Sequence, residues 1–155
     1  MKLIPTASQT VGPFFSLGLA PYYQDAEETL ASASDAIVLH GAVVDGDRAP
    51  IPDCVLEFFA ANFFARVATR SDGQYRVAIP PGAPMCEVLV FMRGLLLPAL
   101  TRVHLGESTA KGDLALAAVP NERIPTLLAH PTNAPNEFEW NIRMQGDDET
   151  VFFET

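Results

Sequence analysis

Glu137-Phe138-Glu139-Trp140-Asn141-Ile142-Arg143-Met144 is the stretch on which the fold turns. Its apolar residues, Phe138, Trp140, Ile142 and Met144, take every second position, and polar residues fill the places between. Successive side chains of an extended strand point to opposite faces, so the pattern predicts a strand with one buried and one wet face. Gln145-Gly146-Asp147-Asp148 reads as the turn that ends it, and Thr150–Phe153 as a last strand.

Upstream the same period returns. Tyr75, Val77 and Ile79 oppose Gln74 and Arg76, and Thr101, Val103 and Leu105 oppose Leu100, Arg102 and His104. Ile37–Val44 and Val55–Phe59 are largely apolar on both faces, and Cys86–Met92 is apolar apart from Glu87. Such runs suit strands inside a two-layered sheet. Asp45-Gly46-Asp47 and Ser71-Asp72-Gly73 mark turns where a positive φ carries little steric cost. Pro80-Pro81-Gly82 stops the Tyr75 strand, because proline cannot donate to a ladder. One short helix is expected at Asp113–Ala118, and Ala26–Ser34 is either a helical turn or a loop. Pro5, Pro13 and Pro21 interrupt residues 1–35, which read as an N-terminal arm; residues 36–155 read as one β-sandwich domain. Seven or eight short strands with turn signals between them make the fold class all-β.

Composition narrows the function. At 155 residues, 48% apolar and 19% charged, the chain suits one globular domain. A net charge of −9 argues against nucleic acid or an anionic membrane as partner. The most apolar stretch, Val88–Leu100, is cut by Arg93 and Pro98 and is too short to span a bilayer. The opening MKLIPTASQT lacks the apolar core of a signal peptide, so a cytoplasmic location is expected. There Cys54 and Cys86 would be buried, reduced thiols.

Chemical motifs are scarce. His40, His104 and His130 form no close pair, and neither cysteine has a histidine nearby in sequence. No nucleophile elbow and no phosphate-binding glycine loop is present. Glu27-Glu28, Glu137/Glu139 and Asp147-Asp148-Glu149 read as solvated faces and turns. Tyr22-Tyr23 could ligate ferric iron as phenolates or anchor the arm to a surface.

Several phrases carry more. Thr6–Phe15 (TASQTVGPFF), Gly41–Leu56 (GAVVDGDRAPIPDCVL), Phe64–Val77 (FARVATRSDGQYRV), Phe91–Arg102 (FMRGLLLPALTR), Val119–Leu128 (VPNERIPTLL) and the closing NIRMQGDDETVFFET together resemble the intradiol ring-cleaving dioxygenases. The likeness is to the alpha-type chain of the protocatechuate-cleaving heteromers, and it runs in order along nearly the whole chain. It implies a β-sandwich of the transthyretin (prealbumin)-like type. In that family two tyrosines and two histidines hold Fe(III), and a catechol is cleaved between its hydroxyls with O₂. The beta chain carries the iron and the alpha chain does not.

This sequence departs from the iron-bearing pattern at each ligand. Ala60–Phe63 stand where a longer insertion would bring the first tyrosine. Ala83, Pro84 and Met85 follow Pro81-Gly82, where the second tyrosine would come. Counting back from Phe91 puts Met85 and Glu87 at the two histidine positions. Ferric iron needs anionic oxygen and imidazole donors. The resemblance therefore implies no catalytic residue and no metal in this chain, with Fe(III) and a catecholic substrate such as protocatechuate held by an iron-bearing beta-type partner. By motif, Thr10, Gly12, Pro13 and Arg93 would reach the partner's substrate pocket. An oligomer is expected, on the two-faced apolar strands and the terminal Val151-Phe152-Phe153. Two other readings stand beside this one. One is a transthyretin-like interaction module that no longer serves a dioxygenase. The other is a self-sufficient iron enzyme that gathers Tyr22, Tyr23, His104 and His130.

Overall fold

A computed structural model describes residues 18–33 and 35–154. The strands are β1 (Ile37–Val44), β2 (Val55–Ala60), β3 (Phe63–Ala68), β4 (Gln74–Ile79), β5 (Met85–Phe91), β6 (Ala99–Leu105), β7 (Leu128–Pro131), β8 (Glu137–Glu139) and β9 (Ile142–Arg143). Two short helices join them, α1 (Ala26–Ser32) and α2 (Glu107–Ala110), with 3₁₀ turns at Ala20–Tyr22, Leu114–Ala118 and Ile124–Leu127. The strand order is β3-β2-β5-β6-β7-β8-β1-β4, with β9 also on β1. The parallel β6–β7 pair carries the chain from one layer, β3-β2-β5-β6, to the other, β7-β8-β1-β4.

The two layers close over one apolar core. Leu39, Val43, Val77 and Ile142 come from one layer, and Leu56, Phe58, Val88, Val90 and Val103 from the other, all fully buried. Each such side chain contributes roughly 1.5–3 kcal/mol of burial. Cys54 and Cys86 lie in this core as free thiols, and burial pushes both up to about 12, so they pack as small apolar residues. A second, smaller cluster of Leu116, Val119 and Leu127, with Ala110, Ile124, Val151 and Phe153 against it, forms under the segment that follows β6.

The predicted Phe138–Met144 strand is two strands in one register. Val38–His40 pair with Glu137–Glu139, and Val43–Val44 with Ile142–Arg143. Between them the Trp140 carbonyl turns over Gly41, where an added Cβ would lie 1.8 Å from that oxygen. Tyr75 stands opposite Gly41 on β4. Its hydroxyl reaches past the bare glycine and donates to the Trp140 carbonyl at 2.7 Å. The Asn141 side chain fills the gap in the ladder, its Oδ1 accepting from the Ala42 N–H at 2.8 Å. Burial alternates across the break, because Trp140 and Ile142 still face the core.

Other expectations need correction. Asp113–Ala118 is a 3₁₀ turn rather than an α-helix, started by Asp113, whose side chain accepts from the Ala115 N–H. Ala26–Ser34 resolves to α1 over Ala26–Ser32. Thr150–Phe153 forms no strand, only a bridge between Leu100 and Phe153. Its apolar residues are half-buried, Val151 and Phe153 against the second cluster and Phe152 against the main core. At the Asp45 turn the positive φ falls on Arg48, not Gly46, because Asp45 Oδ1 accepts from both the Asp47 and Ala49 N–H groups.

The Gly41 site yields a direct test. Gly41→Ala is expected to destabilise the chain by about 3 kcal/mol or more in urea unfolding, since backbone has to move to admit a methyl group. Tyr75→Phe, which leaves the Trp140 carbonyl without its donor, should cost roughly 1–3 kcal/mol. A Gly41→Ala chain as stable as the parent would contradict the close approach.

Candidate functional site

One end of the sandwich opens into a cleft of about 700 Å³. Three segments build it. The β2–β3 connection supplies Ala61 and Asn62, flanked by Phe59 and Phe63; the β4–β5 connection supplies Pro80–Pro84; the start of β5 supplies Met85 and Glu87. These include every segment that the sequence comparison placed at an iron-ligand position, and the fold brings them to one spot. The chain can make this cleft because Ala60 and Phe63 pair directly across a short β2–β3 turn, while the prolines cannot extend β4.

The donors there do not fit ferric iron. Glu87 is the one ionisable side chain lining the cleft; the rest is aromatic, thioether, proline, alanine, glycine and one amide. A single carboxylate already engaged by an arginine cannot replace two phenolates and two imidazoles. Among the described residues, no group of three or more His, Cys, Asp or Glu side chains is placed to hold a metal.

Behind the cleft runs a charged network missed in the sequence. The β5–β6 ladder sets Glu87 opposite Arg102 and Met85 opposite His104. Arg102 Nη2 donates to Glu87 Oε1 at 2.9 Å, and its Nη1 donates to Asp113 Oδ1 at 3.0 Å and Oδ2 at 3.2 Å. His104, 1% exposed, brings Nε2 within 3.2 Å of Asp113 Oδ2, without hydrogen-bond alignment. Burial alone would raise the Asp113 carboxyl, but the Ala115 N–H and Arg102, helped by His104, outweigh it and hold it below its usual 3.8. Asp113 thus pins the Leu114–Ala118 turn to the outer face of β6. The signal was present in the alternation that put Arg102 and His104 on one face; their acidic partners came from other elements.

The remaining candidates scatter. Arg93 is exposed in the β5–β6 turn, at the far end of β5 from the cleft and roughly 20 Å of strand from Glu87. It has no ion-pair or hydrogen-bond partner among the described residues, so it is neither a structural salt bridge nor a carbonyl cap; Leu96 and Leu97 beside it are 88% and 74% exposed. Thr10, Gly12 and Pro13 lie outside the described residues. The alternative iron set does not assemble. Tyr22 is exposed, Tyr23 lines a different cleft with Gln24 and Arg76, His130 a third with Glu139, and His104 is buried against Asp113.

The protocatechuate 3,4-dioxygenase alpha chain of Burkholderia cepacia is 37% identical over a 190-residue alignment that covers 96% of each chain. That of Pseudomonas putida is 28% identical, covering 99% of this chain and 98% of its own. The first alignment is longer than this chain, so the relative carries insertions that are absent here. Among solved structures, the dioxygenase domain of a dioxygenase–carbohydrate-binding fusion from Streptomyces sp. SirexAA-E superposes with a TM-score of 0.51 at 16% identity, over 72% of this chain and 80% of that one. Catechol 1,2-dioxygenase of Acinetobacter radioresistens does so with 0.50 at 13% identity, over 84% and 59%. No protein-family model matches the chain. The sandwich is that of the intradiol dioxygenases. Within that class the chain belongs to the protocatechuate 3,4-dioxygenase alpha-chain family.

Asp113 gives the site its testable consequence. Asp113→Ala should cost roughly 2–4 kcal/mol, because it strands the Arg102 guanidinium and releases the 3₁₀ turn. Folding depresses this carboxyl, so its contribution is complete above its usual 3.8 and is lost as pH falls through the lower folded value. Unfolding followed against pH should show Asp113→Asn with a flatter acid limb than the parent; parallel limbs would remove Asp113 from the clamp.

Proposed function

We propose that this chain is the non-catalytic alpha-type subunit of a protocatechuate 3,4-dioxygenase-like enzyme. It would assemble with an iron-bearing beta-type chain and complete that chain's pocket. One observation carries the reading. The segments that would bring four iron ligands converge on one cleft, and the cleft holds a single carboxylate, itself committed to Arg102. The chain keeps the architecture of the family without the donors for its metal, so the ring-cleaving chemistry belongs to the partner. Names of the relatives, both alpha chains, support the same assignment.

The proposed contribution to the partner is positional. Arg93 is a guanidinium without a partner among the described residues, on an exposed turn with two exposed leucines, a combination suited to an interface with a charged group behind it. A guanidinium grips a carboxylate through paired charge-assisted hydrogen bonds, which matches the carboxylate of protocatechuate. Thr10, Gly12 and Pro13 would bring the arm to the same boundary, Gly12 permitting close backbone approach and Pro13 setting direction.

Three outcomes are expected. The purified chain, offered iron, should retain none stoichiometrically by elemental analysis; one iron per chain would overturn the assignment. Light scattering at micromolar protein should show an oligomer, and a clean 16.8 kDa monomer would count against it. In the assembled enzyme, Arg93→Ala should raise KM for protocatechuate by about 10- to 150-fold, the loss of one charge-assisted contact, with iron content and assembly intact. Unchanged kinetics would take Arg93 out of the pocket.

A further inference from the structure

The cleft at the head of β5 has a charge of its own. Arg102 serves two carboxylates at once, Glu87 and Asp113. Asp113, 13% exposed at its side chain, is well served: it also accepts from the Ala115 N–H and touches His104. Glu87 is 46% exposed at its side chain and receives one hydrogen bond, on Oε1. Its Oε2 has no partner among the described residues. The carboxylate oxygen that Arg102 leaves unpaired among the described residues is therefore the one on Glu87, on the cleft side. The chain's net charge of −9 deepens the negative potential there.

The walls complete the recognition. Phe59 stands directly across the β2–β5 ladder from Glu87, and Phe63, Met85 and the prolines enclose the remaining space. A carboxylate beside an apolar wall is complementary to a cation with an apolar body: the charge pairs with the carboxylate, and the body packs on the wall. An aromatic carboxylate would instead bring like charge against Glu87. We infer that this cleft is a binding site for a small organic cation, an arylalkyl- or alkylammonium, with its charge on Glu87 and its apolar body between Phe59, Phe63 and Met85. Its preference is thus opposite in sign to that of a pocket that takes protocatechuate. The inference goes beyond the subunit role and does not depend on it.

Calorimetric titration of the full chain at neutral pH tests it, with 2-phenylethylammonium as the cation and phenylacetate as the size-matched anion. Saturable one-to-one binding of the cation and none of the anion is expected. Glu87→Gln, which keeps a hydrogen bond to Arg102 but removes the charge, should weaken the cation about tenfold or more. Ala61→Trp, at an exposed turn position, should fill the cleft and abolish binding while the circular dichroism spectrum and melting temperature stay those of the parent. Binding of the anion as tightly as the cation would overturn the inference, as would no binding of either. Cation affinity unchanged in either folded variant would also overturn it. None of these readouts involves iron, oxygen uptake or a second chain, so they fail separately from the subunit assignment.

Discussion

The Trp140 carbonyl, held over Gly41 by the Tyr75 hydroxyl, is the contact on which the architecture depends. It joins three strands that lie side by side, β4, β1 and the β8–β9 segment, at one buried point. The same Trp140 donates through Nε1 to the Thr126 carbonyl at 2.9 Å, tying the layer to the 3₁₀ turn ahead of β7. That turn carries Leu127 into the second apolar cluster, which also covers the outer face of β6. One glycine, one phenol and one indole thus link the main core to the segment that packs over the half-buried Arg102 and the buried His104.

The cleft follows from the same economy of chain. Where the iron-bearing pattern calls for long insertions, β2 and β3 meet in a short turn, and the β4–β5 connection is mostly proline, glycine and alanine. Short loops leave the end of the sheet open and expose Glu87 beside Phe59. The acid at this position is compatible with the fold because Arg102 lies directly across the ladder and Asp113 balances Arg102 from the other side. A guanidinium shared by two carboxylates is a stable way to keep charge at the edge of an apolar sheet.

Much of this could be read from the residues. Period-two alternation placed β4 and β6, and runs apolar on both faces placed β1, β2 and β5, each within a residue or two; the alternation survives single exceptions such as Ala78. The kink at Trp140–Asn141 was invisible, since alternation continues through it; only its neighbours on β1 and β4 impose it. Alternation did not reach β3 or β7: β3, which only the resemblance placed, as the start of a hairpin over Phe64–Val77, sits at the end of the strand order with a mixed face, and β7 is only Leu128–Pro131. Of the site, the missing ligand types were legible by position. The network from Glu87 to His104 was not, because its members come from β5, β6 and a 3₁₀ turn and meet only through strand register.

The account stands most directly on reconstitution. Iron-bearing beta-type chain is held at fixed concentration, this chain is added in steps, and O₂ uptake with protocatechuate is followed. The account predicts no uptake by this chain alone, and a rate that rises with added chain until the two are equimolar and then levels. An iron-bearing chain whose rate and KM are indifferent to added subunit, or ring cleavage by this chain without it, would contradict the assignment.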